Sequence, residues 1–286
     1  MGASSTYREP LVSIVIPTYN SARYLRACLK SIRRQTYRNI EVVVVDRGSR
    51  DGTVEIAREF GARVYVIKAR ERSEQKNYGA RVARGDYLYF VDSDFILHRD
   101  VVKECVELAR KGYQAVIVLN ISDPRPSIWA KARYYERLSY YGSGTYEAAR
   151  FIKKELFHKV GGFDEELYAN EDYDLNIRLS RDKATIGRTK RTFEVHLGEP
   201  ETLKEFIIRS YYYGYGLIRY FKKNPNYLHL TPIRPTYFRK DFIAFLGGRR
   251  LNKLVLILFT KIIQSTSSAI GMLRGLISKP VTNPYV

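Results

Sequence analysis

Tyr87-Leu88-Tyr89-Phe90-Val91-Asp92-Ser93-Asp94 is an apolar run that ends abruptly in two carboxylates one residue apart. Its first five residues read as a buried strand, so the two acids stand where a sheet ends. An unpaired ion at the end of a core strand costs on the order of several kcal/mol, and a cation is therefore expected beside it. Hard oxygen ligands at this spacing suit a divalent ion such as Mg²⁺ or Mn²⁺, which commonly holds substrate phosphates. The competing reading is that Asp92 and Asp94 only cap the next helix, with Asp94 offering its carboxylate to backbone N–H groups.

Outward from this run, short β-branched stretches alternate with helical stripes. Val12–Ile16, Glu41–Val45, Arg63–Ile67, Tyr87–Val91 and Ala115–Leu119 read as strands. Helices are expected around Ala22–Gln35, Thr53–Phe60, Glu74–Arg84 and Asp100–Arg110. Such alternation predicts an α/β fold with a mostly parallel sheet covered on both faces. Ligands of these sheets bind beyond the carboxyl ends of the strands, where Asp46 and Asp92 both stand. A mixed segment follows, with a Tyr-rich helix (Arg133–Tyr141), a Gly142-Ser143-Gly144-Thr145 turn, a helix from Glu171-Asp172 to about Arg181, and a strand Thr192–Leu197 ending at His196.

The chain has 286 residues, 45% of them hydrophobic, enough for one large domain with an appendage. Cys28 and Cys105 both fall in apolar helical stripes, which suits reduced core thiols better than a disulfide. Net charge is +19, and residues 201–286 hold 14 Lys/Arg against 3 Asp/Glu. Nucleic acid, anionic lipid and phosphorylated substrates all fit that excess, and composition does not choose among them. The N-terminus lacks an apolar signal-peptide core.

With the end of the opening stretch, four motifs stand in order along the chain. They are Ser13-Ile14-Val15-Ile16-Pro17-Thr18-Tyr19-Asn20, Val44-Val45-Asp46 before Gly48-Ser49, Asp92-x-Asp94 itself, and Gly161-Gly162-Phe163-Asp164 before Glu171-Asp172. As an ordered set they resemble the family 2 glycosyltransferases of GT-A fold, over residues 11–198, including dolichyl-phosphate mannosyltransferase-like and lipid-directed members. The resemblance implies a GT-A catalytic domain over residues 1–200, with a nucleotide-sugar half at about 11–120 and an acceptor half at about 121–200.

It also implies roles for single residues. Pro17, Thr18, Tyr19, Asp46, Lys76, Asp92 and Ser93 would bind the donor, with Asp46 contacting the nucleotide base. Where relatives often carry a second acid after that aspartate, this chain has Arg47. Lys76, in Gln75-Lys76-Asn77-Tyr78-Gly79, replaces a usual arginine and would touch phosphate or ribose. Asp94, Asp92 and His196 would hold Mn²⁺ or Mg²⁺, stabilising the departing diphosphate as a Lewis acid. Asp172 would be the general base of an inverting transfer, oriented by Glu171. Gly161 and Gly162 would let the backbone approach the acceptor sugar.

After Pro200, a helix Glu201–Lys223 rich in tyrosine, a Pro-broken connection (Pro225, Pro232, Pro235) and helices about Tyr237–Leu246 and Leu251–Ile277 are expected. Leu254–Met272 is apolar, yet Lys261, Gln264 and Ser265-Thr266-Ser267-Ser268 interrupt it, so lying in a membrane interface is favoured over spanning. Flanking cations Arg249, Arg250, Lys253, Arg274 and Lys279 suit a headgroup layer. The sequence therefore points to a metal-dependent, inverting hexosyltransferase, peripheral to the cytoplasmic face of the cell membrane. Mannose from GDP-mannose is the first donor choice and a hydroxyl of a membrane-associated glycolipid the acceptor. The alternatives are a polyprenyl-phosphate glycosyltransferase using GDP-mannose or UDP-glucose, and a non-catalytic nucleic-acid-binding protein with a basic tail. The intact acidic pairs argue against nucleic acid as a partner.

Overall fold

The computed structural model describes residues 8–142, 147–167, 169–227, 239–248 and 250–277. Most of the Gly142–Thr145 turn, Pro232, Pro235, Tyr237, Arg249 and Lys279 lie outside the described residues. In chain order the elements are β1 (Val12–Thr18), α1 (Ala22–Arg33), β2 (Ile40–Asp46), α2 (Thr53–Glu59), β3 (Arg63–Val66), α3 (Arg72–Val82) and β4 (Tyr87–Phe90). Then come β5 (Phe95–Leu97), α4 (Val101–Arg110), β6 (Ala115–Ser122), α5 (Ile128–Tyr140), β7 (Phe151–Lys153), α6 (Lys154–Lys159), α7 (Glu171–Arg181) and β8 (Ile186–His196). The C-terminal helices are α8 (Leu203–Lys223), α9 (Lys240–Leu246) and α10 (Arg250–Ile277).

The eight strands form one sheet in the order β3-β2-β1-β4-β7-β6-β8-β5. One half of it, β3-β2-β1-β4, is parallel throughout. Side chains alternate across it with period two. Ile14, Ile16, Tyr89 and Val91 join α1 and α4 on one face, while Val15, Leu88 and Phe90 join α3, α6 and α7 on the other. On α1 the buried residues Leu25, Cys28, Leu29 and Ile32 share one helical stripe, and truncating any such leucine costs about 2–5 kcal/mol. Cys28 and Cys105 are free and buried.

The other half of the sheet is mixed rather than parallel. β7 runs antiparallel to both β4 and β6, β8 is parallel to β6, and β5 is antiparallel to β8. β5 and β7, three residues each, carry too few residues for a period-two signal and were not legible in the sequence. β5 nevertheless decides the site, because its pairing sets Phe95 opposite His196.

α8 and α10 cross closely. A Cβ on Gly214 would lie 2.1 Å from the Ser268 carbonyl oxygen, and one on Gly271 would lie 2.1 Å from that of Tyr211. Only glycine allows this backbone approach, and through it the C-terminal helices form a wall against the catalytic half.

Candidate active site

The carboxyl ends of β1, β2 and β4, the first turn of α7 and the end of β8 converge on one cavity of about 950 Å³, closed on the far side by α8 and α10. Pro17, Thr18, Tyr19, Ser93, Asp172 and His196 all line it. Strand order explains the convergence. β1 and β4 are parallel neighbours, so Pro17 and Asp92 leave the sheet along the same edge, while β5 folds Asp94 back against β8.

Asp94 does not cap a helix. Its Oδ2 lies 3.0 Å from His196 Nε2, and His196 Nδ1 lies 2.7 Å from Glu199 Oε1. Burial lowers the imidazole pKa, but the two carboxylates outweigh it and the net shift is upward. Gly198 makes the room, since a Cβ there would sit 2.1 Å from Asp94 Oδ2. Among the described residues no cluster of three or more His, Cys, Asp or Glu side chains stands ready for a metal. Asp94 and His196 offer two protein ligands, the second held through its other nitrogen by Glu199, and this fits a divalent ion whose remaining positions are filled by water and phosphate.

Asp92 is turned elsewhere. It accepts from Arg150 at 3.1 Å, and Lys76 Nζ is 3.9 Å away. Burial opposes its charge, yet Arg150, Lys76 and Arg72 hold its carboxyl far below the usual range. Asp92 thus stands as a cation-paired carboxylate beside the Asp94–His196 pair. Arg150 also reaches Glu194 at 3.3 Å and Asp172 at 3.8 Å.

Glu171 and Lys76 form the buried centre of the site, each side chain 1% exposed and their charges 3.2 Å apart. Lys76 Nζ also lies 3.3 Å from Asp172, and Arg72 grips Glu171 at 2.6 Å. Burial raises the Glu171 pKa, but Arg72 and Lys76 bring it down to about 2. For Lys76, burial pulls the other way and Asp172, Glu171 and Asp92 prevail, raising its pKa. Ser73, Lys76, Gly79 and Ala80 share the sheet-facing stripe of α3, and Gly79 has no room for a Cβ because Val15 Cγ1 would be 2.3 Å from it. The ammonium of Lys76, for which the resemblance implied a phosphate or ribose contact, is buried among three carboxylates.

Asp46 is fully buried. Its Oδ1 accepts from the Gly48 and Ser49 amides at 2.8 and 2.7 Å, and its Oδ2 accepts from Thr18 and Ser49 hydroxyls at 2.8 and 2.5 Å. Its oxygens are thus engaged by its own turn and by β1, and Arg47 lines the cavity next to it, its guanidinium 4.3 Å from the Tyr19 ring centroid. Gly161 and Gly162, both at positive φ, do not line the cavity. Their turn presents Phe163 N–H to Asn77 Oδ1 at 2.9 Å and docks on α3.

Arg72, Arg150, Glu194 and Glu199 escaped sequence reasoning. Arg72 stood just ahead of the Gln75–Gly79 motif and Glu199 just after His196, so proximity was a usable signal. Arg150 and Glu194 had none, because only the β4–β7 pairing and the bond from Tyr89 Oη to Glu194 at 2.9 Å bring them in.

The family model for glycosyl transferase family 2 matches residues 13–164, just over half of the chain. The chain belongs to glycosyl transferase family 2. An uncharacterized glycosyltransferase of Rickettsia typhi is 31% identical over 195 residues, covering 62% of this chain and 60% of that protein. The Escherichia coli chondroitin synthase is 31% identical over 184 residues, covering 60% of this chain and 27% of the synthase. The chain thus spans 60% or less of the length of these relatives. Among solved structures, the mannosyltransferase PcManGT from Pyrobaculum calidifontis, in complex with GDP-Man and Mn²⁺, superposes with a TM-score of 0.68 at 19% identity, covering 96% of this chain and 89% of that one. Staphylococcus aureus TarS residues 1–349 with UDP-GlcNAc superposes at 0.53 and 15% identity, covering 92% and 91%. At these identities the likeness concerns the GT-A fold of this family 2 chain.

Proposed function

We propose that the protein is an inverting glycosyltransferase that moves a hexose from a nucleoside diphosphate sugar, with mannose from GDP-mannose as the first choice, to a hydroxyl of a membrane-associated glycolipid. The observation that carries this reading is Arg150, which touches Asp92 at 3.1 Å and Asp172 at 3.8 Å and so sets the partly exposed Asp172 carboxylate beside the rim that would hold the diphosphate. The complex of PcManGT with GDP-Man and Mn²⁺ supports the donor and the ion.

Pro17, Thr18, Tyr19, Arg47 and Ser93 frame the nucleotide end of the cavity. Asp94 and His196 would hold Mn²⁺ or Mg²⁺, which when bound supplies Lewis-acid stabilisation to the departing diphosphate. Asp172, a quarter exposed and facing the cavity, takes the acceptor hydroxyl's proton as that oxygen attacks the anomeric carbon. The bond from that carbon to the diphosphate oxygen breaks on the opposite face, and configuration inverts. Glu171, locked by Arg72 and Lys76, fixes the turn that aims Asp172. Asn170, at positive φ on the cavity wall, has a buried side-chain Nδ2 with no partner among the described residues, a donor suited to a sugar hydroxyl.

Residues 1–200 serve as the catalytic domain and 201–286 as a helical region that completes the cavity and meets an anionic membrane surface. Leu251–Ile277 is long and apolar enough to cross a membrane, but its close packing on α8 and the buried Lys261–Glu136 ion pair favour lying in the interface. GDP versus UDP release from a panel of sugar nucleotides with Mn²⁺ or Mg²⁺ tests the function. Absence of turnover on every donor overturns it, and full turnover in Asp172→Asn reassigns the acceptor to a lipid phosphate, which needs no base.

A further inference from the structure

A second cleft of about 630 Å³ opens between the start of α5 and the start of α10. Arg125, Lys131 and Lys253 line it together with Ile128, Tyr135 and Leu256. Lys131 is exposed and makes no ion pair among the described residues. Arg125 is held by Asp123 at 2.7 Å, and Lys253 Nζ is fixed by the Leu246 carbonyl at 2.5 Å with the Tyr135 ring centroid 5.6 Å away. Three cations therefore face one small opening with a single carboxylate between them.

The cleft adjoins a long apolar stripe. On α10, Leu251, Val255, Phe259, Ile262, Ile270 and Leu273 are 54–70% exposed. Their spacing of three, four and eight residues puts them on one face, and Ile128, 57% exposed, stands at the cleft. The other exposed residues between Val255 and Leu273 are Thr266 and Ala269, so that face carries no charge over this length. Asn252 and Leu256, one position on from Leu251 and Val255, turn toward the cleft, so the cationic opening borders the stripe along its first two turns.

The geometry points to a docking site for an anionic lipid bilayer, with lipid phosphates seated in the Arg125–Lys131–Lys253 cleft and the α10 stripe immersed among the acyl chains. This deepens the membrane-associated reading above, since it names the face that meets the lipid. Charge decides the occupant. A second copy would bring an equally basic surface against this one, in a chain of net charge +19, whereas an anionic headgroup layer complements the cations and accepts the apolar face.

Co-sedimentation of the full chain with vesicles of phosphatidylcholine alone, or mixed with phosphatidylglycerol, tests the site. Binding is expected only when phosphatidylglycerol is present. Lys131→Gln with Lys253→Gln should weaken partition about 30-fold, about 5-fold for each cation removed. Phe259→Ser should weaken it separately, with thermal unfolding confirming that every variant folds. Inorganic phosphate at matched ionic strength should leave vesicle binding in place. Equal binding to both vesicles, unchanged partition in the Lys131/Lys253 variant, or full displacement by inorganic phosphate overturns the proposal. So does a dimer that Phe259→Ser converts to monomer without altering vesicle binding. Calorimetry with GDP-mannose in the absence of lipid reads the catalytic proposal independently, so the failure of one is separable from the failure of the other.

Discussion

Asp94 Oδ2 and His196 Nε2 face each other at 3.0 Å although 102 residues separate them in the chain. The short strand β5 does this by pairing Phe95 with His196, and the Leu197 amide seals the pair by donating to the Asp94 carbonyl at 2.9 Å. Asp94→Asn and His196→Ala are each expected to lower metal-dependent turnover by at least about 100-fold. Glu199→Gln, which removes only the charge behind the imidazole, should cost about 10–100-fold in Mn²⁺ affinity. Calorimetric titration of Mn²⁺ in the presence of GDP-mannose checks both, and unaltered Mn²⁺ binding in His196→Ala would refute the ligand assignment.

Asp172→Asn keeps the shape of the side chain and removes its basicity. It should reduce kcat by about 10²–10⁴ while donor affinity stays within a few-fold of the parent. Steady-state kinetics beside equilibrium GDP-mannose binding separate the two quantities, and a loss confined to binding would sink the role as base.

Lys76 sits at 1% exposure among Glu171, Asp172 and Asp92. Lys76→Met leaves those acids without their common cation and should destabilise the fold by about 3–5 kcal/mol. Adding Glu171→Gln should restore part of the loss, because the two sites are directly coupled. Urea unfolding of the single and double variants measures the coupling, and strict additivity would contradict it.

Acid sensitivity follows from Glu171. Its pKa is about 2 when folded against an ordinary value near 4.5, so between these pH values the unfolded chain binds more protons than the native one. The stabilisation is complete above about pH 4.5 and fades as pH falls toward 2, by about 3 kcal/mol in total. Glu171→Gln should flatten that part of the stability profile in chemical denaturation at stepped pH. A parent-like slope would assign the acid sensitivity elsewhere.

Gly271 meets the Tyr211 carbonyl and Gly214 meets that of Ser268. Gly271→Leu should force α10 off α8, costing about 1–3 kcal/mol and opening the cavity wall that Tyr212, Tyr213 and Met272 share. Faster hydrogen exchange in both helices is the expected signature, and an unchanged exchange pattern would show that the crossing tolerates the bulk.

The parallel half of the sheet was legible because it is a repeating local signal. Ile14–Pro17 and Tyr87–Phe90 are continuous apolar runs, and the buried positions of α1 recur at helical spacing. Motif order then placed Asp94, Asp172 and His196 at one rim, and the fold sets all three on one cavity. Sequence did not show what surrounds Asp46, Lys76 and Gly161-Gly162. Nothing local distinguishes a carboxylate whose four donors come from its own turn and a neighbouring strand from one left open to a ligand.

By itself the sequence determined the longer strands and helices, which acids end them, and that the last third of the chain is basic and apolar at once. Those properties depend on neighbours a few residues apart, whose periodicity and desolvation cost are written along the chain. Only the tertiary structure decided which cation answers each carboxylate, that Arg150 and Glu194 belong to the site, and that α8 and α10 close it. Ion pairing and cavity shape depend on distances of a few ångströms between residues far apart in the chain, and strand pairing together with helix packing sets those distances.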